Sequence, residues 1–177
     1  TLSVLRCPNS DLEIEKYKFM NGSNVNMIKF ELIMSFYVGD MITGLFLDQI
    51  GIGGEKSIIY GGINGLIGSL SAMKTVKEVN FFRELEKLMR KVYQGMKIEE
   101  GEEHDSKIEP NKYGIVDSDV LKFRSYYVPK KSCIDGDLIE SFFSIDETLK
   151  ERIASAMDRS VPQIEKRIIE MRHRVGY

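Results

Sequence analysis

The sequence contains no tryptophan, and only two histidines, two cysteines and four prolines among 177 residues. His104 lies in an acidic stretch and His173 near the end of an amphipathic pattern, so neither a histidine-based triad nor a histidine-rich metal site is expected. Cys7 and Cys133 stand far apart and form no C-x-x-C spacing, and sparse unpaired cysteines fit a reducing compartment. No apolar run approaches the roughly 18 residues that a membrane helix needs. An excess of one charge is also missing: 25 Lys and Arg oppose 27 Asp and Glu, a net charge of −2. Such a surface exerts no bulk attraction on a phosphate backbone. Charged residues at 29% and hydrophobic ones at 42% are ordinary globular values, which excludes global disorder. Thr1 to Pro8 shows no basic segment ahead of an apolar stretch, so the Asn21-Gly22-Ser23 sequon is not expected to be used. With no initiator Met and a start in mid-strand, the chain reads as a piece of something longer.

What is present changes character near residue 73. Before it the pattern has period two, with glycines as punctuation. Ile28, Phe30, Leu32, Met34, Phe36 and Val38 alternate with more polar neighbours, which predicts a strand with one buried face. Gly39-Asp40 signals a turn, Met41–Ile50 the returning strand, and Gly51–Gly54 the next turn. Ser57–Tyr60 and Leu66–Leu70 flank Asn64-Gly65, which suits a two-residue type I′ hairpin. Four short antiparallel strands between residues 27 and 71 match one propeller blade in size. Residues 2 to 6 read as a further strand and 8 to 26 as a long polar connection.

After residue 73 the period is helical. Thr75-Val-Lys-Glu78 is a capping box, and Val79, Phe82, Leu85, Leu88, Met89 and Val92 form one stripe that Gly95 can end. Six carboxylates crowd the stretch from Glu99 to Glu109, which predicts a mobile acidic loop near 97–114. Further helices are expected from Ser118 or Asp119 through Phe123, from Asp135 or Asp137 through Phe143, and from Asp146 through Met157. Ser160-Val-Pro-Gln163 is another capping box with proline in the first turn. On the last helix Val161, Ile164, Ile168, Met171 and Val175 must bury against either the preceding helices or a partner. Ile164, Ile168, Met171 and Arg172 are therefore candidate interface residues.

The candidate chemical motifs are weak. Gly51-Ile-Gly-Gly-Glu-Lys-Ser57 resembles a phosphate loop, but Glu55 interrupts its core and a strand follows where a helix N-terminus is needed. Gly61–Gly68 misses the dinucleotide spacing. Asp135, Asp137 and Glu140 could hold a hard cation, as in a carboxylate-dependent metal hydrolase. They fail the calcium-loop pattern, and acidic residues in a first helical turn need no metal because they cap it. Arg124-Ser125-Tyr126-Tyr127 ahead of Lys130-Lys131 could stack on a base, although a packed aromatic pair with a snorkelling arginine is the preferred reading. Arg124 is a candidate ionic partner for Asp135 or Asp137. No catalytic constellation emerges, and no cofactor or metal is expected.

The stretch Phe123-Arg-Ser-Tyr-Tyr-Val-Pro-Lys-Lys-Ser-Cys-Ile-Asp-Gly-Asp-Leu-Ile-Glu140, with Phe142, resembles the C-terminal signature of a large three-propeller family. That family serves DNA-damage recognition, mRNA 3′-end processing and splicing. The signature residues are Arg124, Ser125, Tyr126, Tyr127, Pro129, Asp135, Gly136, Asp137, Leu138, Glu140 and Phe142. Met157–Pro162 and Arg172–Tyr177 are similar to its splicing-factor branch, as are Ser3–Arg6, Tyr37–Gly39 and Ile63–Gly68; the 95–116 stretch is longer than the family pattern. The resemblance implies a β plus α chain: antiparallel strands of an incomplete terminal β-propeller, then a small all-helical C-terminal domain. Residues 1–73 would be the last blade or blades and 74–177 the helical domain. It also implies a nuclear, non-enzymatic scaffold supporting branch-site recognition in pre-mRNA splicing. Its partners would be the helical-repeat large subunit and the small helical subunit of splicing factor 3b, with RNA reached only indirectly. The alternative within the family is an adaptor of a DNA-repair ubiquitin ligase or of a 3′-end processing complex.

Overall fold

The structure, a computed structural model, describes residues 1–7, 30–50, 54–94, 123, 126, 127 and 130–175. The expectations for the 8–26 connection, the 97–114 loop and the 118–123 helix lie outside these residues. The described chain is antiparallel strands followed by helices, and it forms two compact units. Residues 1–39 and 127–133 make the first; residues 40–126 and 134–177 make the second. No helix among the described residues is long and apolar enough to cross a membrane.

In the first unit β1 (Leu2–Arg6) pairs antiparallel with β2 (Glu31–Phe36), from Leu2 opposite Phe36 to Arg6 opposite Glu31. The outer rung carries an Arg6–Glu31 ion pair at 2.7 Å. Ser35 and Lys131 exchange both backbone hydrogen bonds (3.0 and 2.7 Å), adding a short third rung. The period-two reading of β2 holds only at its end. Phe36 and Val38 are buried, but Phe30, Leu32 and Ile33 are exposed, because no described part of the unit covers that half of the strand.

The second unit opens with a three-stranded antiparallel sheet in the order β3 (Ile42–Gln49), β4 (Lys56–Gly62), β5 (Ile67–Leu70). The reading of 27–71 as four consecutively paired strands is corrected here, since β2 and β3 belong to different sheets. Asp40 supplies the reason. Its carboxylate accepts N–H bonds from Met41 (2.7 Å) and from both the backbone and side chain of Asn64 (3.1 and 2.8 Å). Asp40 thus ties the start of β3 to the β4–β5 turn instead of closing a β2–β3 hairpin. That turn also departs from type I′. Gly65 has φ +84° but Asn64 stays at negative φ; Gly65 N–H donates to the Gly62 carbonyl and Gly62 N–H to the Leu66 carbonyl. A three-residue loop with a left-handed glycine results, the next commonest hairpin connection. Opposite Gly68 on β4 stands Tyr60, whose ring an added Cβ would overlap, so a larger residue there would have to displace that ring.

The helices are α1 (Val76–Tyr93), α2 (Gly136–Glu140) leading into a 3-10 turn (Ser141–Ser144), α3 (Glu147–Ala156) and α4 (Val161–Val175). Each start follows from local chemistry. Thr75 Oγ1 accepts the Glu78 N–H at 3.2 Å, and Asp146 accepts the Thr148 N–H at 3.0 Å. The Gln163 side chain reaches back to the Ser160 N–H at 3.2 Å. Between α3 and α4 the chain reverses through Asp158 at φ +52°, with Asp158 N–H bonded to the Ser155 carbonyl and Arg159 N–H to that of Ala154. This is a Schellman end with aspartate in the position glycine usually fills.

α1 packs on α2 and α3, and α3 on α4. Phe82, Leu85, Met89, Leu138, Ile139, Phe142, Ile153, Ile164 and Ile168 form the centre of one shared core. Of the two places offered for this stripe, the preceding helices and not a partner take Ile164 and Ile168, which corrects their candidacy as interface residues. Both are 0% exposed, held in the core shared with the other helices. Met171 is half-buried against the same core.

Candidate interaction site

The signature stretch divides between the units, and each part has its own setting. Tyr127 lies in the first unit with its ring 5.2 Å from that of Tyr37, tilted by 36°. Lys131, besides its backbone rungs, donates from Nζ to the Leu32 carbonyl. Arg124, Ser125 and Pro129 lie outside the described residues.

In the second unit the signature begins a buried polar cluster. Asp135 is the N-cap of α2, its carboxylate accepting the Leu138 N–H at 3.3 Å. Its own N–H donates to Glu86 Oε1 at 3.2 Å. Both acids are withdrawn from water, Asp135 at 2% and Glu86 at 5% exposure. Arg90, one turn along α1, places Nη2 3.6 Å from Glu86 Oε1 and its guanidinium 5.1 Å from the Tyr126 ring centre. Tyr126 in turn donates its hydroxyl to the Arg90 carbonyl at 3.3 Å. Burial pushes the Tyr126 phenol up to about 12, with Arg90 acting against the shift. The cluster joins α1 to the signature by charge-assisted bonds in a place where an unmet polar group would be costly.

Below it, Leu138 and Phe142 are fully buried in the core. Glu140 points the other way, 3.2 Å from Arg172 on α4. Arg172 is thus placed at the surface in an ion pair of the same unit. Asp137 occupies the first turn of α2, where its charge suits the helix dipole. Gly136 needs no special space, because an added Cβ meets nothing within 4 Å.

Among the described residues no group of three or more His, Cys, Asp or Glu side chains could hold a metal ion. The Asp135 carboxylate is engaged in the cap and that of Glu140 in an ion pair, so the geometry does not assemble the carboxylates into one site. Glu86 and Arg90 are the cluster members that sequence reasoning passed over. Their signal was a charged residue on an apolar face: Glu86 lies one turn after Phe82 and one before Met89.

Sheet surfaces differ from these interiors. On β3 the consecutive Leu45, Phe46 and Leu47 are exposed, Phe46 at 65%. Met41, Ile63 and Ile67 extend the exposed apolar surface of the same unit. β3 is an edge strand of its sheet.

Antiparallel strands, a helical core and this signature together define the class: the chain belongs to the CPSF A subunit region family, which matches residues 1–144. Among individual relatives, the chain is 36% identical to pre-mRNA-splicing factor RSE1 of Debaryomyces hansenii over 171 residues, 96% of this chain and 13% of that protein. It is 33% identical to spliceosome-associated protein 130 A of Arabidopsis thaliana over 147 residues, 83% of this chain and 10% of that one. It is 30% identical to splicing factor 3B subunit 3 of Danio rerio over 158 residues, 89% of this chain and 11% of that protein. The chain therefore spans about a tenth to an eighth of the length of these relatives.

Proposed function

We propose that this chain is the C-terminal part of a non-catalytic scaffold subunit of splicing factor 3b. In this reading residues 1–73 supply strands of the last blade or blades of a β-propeller, and 74–177 form the helical domain that follows. The protein supports branch-site recognition in the nucleus through protein contacts. It touches the helical-repeat large subunit and the small helical subunit, and RNA only through the assembly.

One observation carries the reading beyond the names of the relatives. Leu45, Phe46 and Leu47 stand exposed on an edge strand, an arrangement that supports a surface covered by the rest of the propeller or by another subunit. The balanced charge of −2 favours protein over nucleic acid as the covering partner.

The test is capture by the full-length protein carrying this segment. Wild type should retain both splicing factor 3b subunits, and a Leu45→Ser, Phe46→Ser, Leu47→Ser variant should retain less of at least one, at unchanged thermal stability. A folded wild-type protein that captures neither subunit ends this reading.

A further inference from the structure

The last turn of α4 is held differently from the rest of the helix. Ile164 and Ile168 anchor its body in the core, and beyond Met171 the contacts of the described side chains are ionic. Arg174 bonds Glu78 Oε1 on α1 at 2.5 Å and lies 3.9 Å from Glu55 Oε1, just ahead of β4. The Arg174 carbonyl, one of the four that a helix end leaves without an internal partner, accepts the Glu55 N–H at 3.2 Å. Lys74, in the link from sheet to α1, pairs with Glu55 through Nζ and donates its N–H to Glu78 Oε2 at 3.2 Å. Four charged residues from the sheet margin, the link, the start of α1 and the end of α4 thus meet in one network, with Lys74 exposed and the other three partly buried.

We propose that this network is an ionic strap: Arg174 fastens the β3–β4–β5 sheet to the helical core, and its release frees the sheet margin while the core stays folded. The physical basis is the split in forces. The core is held by apolar burial, which added salt does not weaken, whereas charge pairs with part of their surface in water are screened. The strap therefore gives the unit a conformational freedom set by ionic strength, or by a competing charged partner, without unfolding. This inference is independent of the splicing assignment.

Hydrogen exchange on the whole protein, read by peptide, tests it. Arg174→Gln should make amides of residues 55–62 exchange roughly three- to tenfold faster, with residues 82–93 and 149–156 unchanged. About 1 M NaCl should do the same to wild type and add less to the variant, which keeps only the Lys74–Glu55 pair. Arg172→Gln, which removes only the pair with Glu140, should leave residues 55–62 unaffected. The strap is refuted if Arg174→Gln leaves 55–62 unchanged, if it accelerates 82–93 equally, or if Arg172→Gln acts on 55–62 as strongly.

Discussion

Within the second unit the helices and the sheet treat similar apolar side chains in opposite ways. The helices hide theirs: Leu85, Met89, Leu138, Ile153 and Ile168 are all fully buried against one another. The sheet shows its own, with Leu45, Phe46 and Leu47 in contact with water. A helix with a single apolar stripe can be satisfied by two or three neighbours of the same kind, which this chain contains. A strand has two faces and two edges, and a three-stranded sheet alone cannot cover them. Among the described residues the helical half buries its core against itself, and the strand half leaves a row of apolar side chains exposed.

The sharpest way to break this contrast is Ile168→Asp. A charge placed in the core without a partner should cost about 4 kcal/mol or more and abolish the cooperative thermal transition of the helices seen by circular dichroism. A mild effect would mean the α4 stripe is not internal. Next in size, Glu86→Ala strips the Asp135 N–H and Arg90 of a shared acceptor in a buried place. A loss of about 2 kcal/mol in denaturant unfolding is expected, with Glu86→Gln recovering part of it. A cost near zero would show that the polar cluster is not what joins α1 to the signature.

A smaller effect is expected at alkaline pH. The folded Tyr126 phenol titrates at about 12 against 10.0 for the ordinary group. Between those values the unfolded chain gives up this proton first, so unfolding is favoured and stability falls as pH rises. Below pH 10 the contribution is fully present. Melting temperatures of wild type and Tyr126→Phe should therefore converge as pH climbs from 10 to about 12; parallel curves would contradict the assignment. The smallest effect belongs to the sheet. Phe46→Ser should change stability by no more than about 0.5 kcal/mol, the range of ordinary surface substitutions. A large loss would mean that the strand half hides its apolar residues after all.

Much of this was legible in the sequence, and the misses have physical causes. The caps at Thr75, Asp135 and Asp146 were readable because a helix start is decided by a side chain three or fewer residues from the N–H it binds. The strands at 31–36, 42–49, 56–62 and 67–70 were visible between their turn signals, and the β3–β4 and β4–β5 pairings with them, but the partner of β2 was not. Pairing is a long-range property, and Asp40, which reads locally as a turn residue, acts on Asn64 instead. The Asn64-Gly65 pair failed as a type I′ signal because only its glycine takes positive φ. In the site, the Asp135 cap was foreseeable, while its bond to Glu86 links residues 49 apart and leaves no local pattern. The α4 stripe announced burial but not what would bury it.

The rung between Ser35 and Lys131 has a consequence for how the chain is made. Lys131 Nζ reaches the Leu32 carbonyl from 99 residues away. A ribosome adds about 5–20 residues per second, so β1 and β2 are complete seconds before the segment that joins them exists. The first unit must therefore be finished late, after the α1 sequence has emerged, and it carries a high contact order inside a molecule whose helices are local. During that interval the edge of β2 stands open to whatever strand arrives first. Vectorial synthesis thus makes the order of assembly, and not only its end point, a property written into the position of residues 127–133.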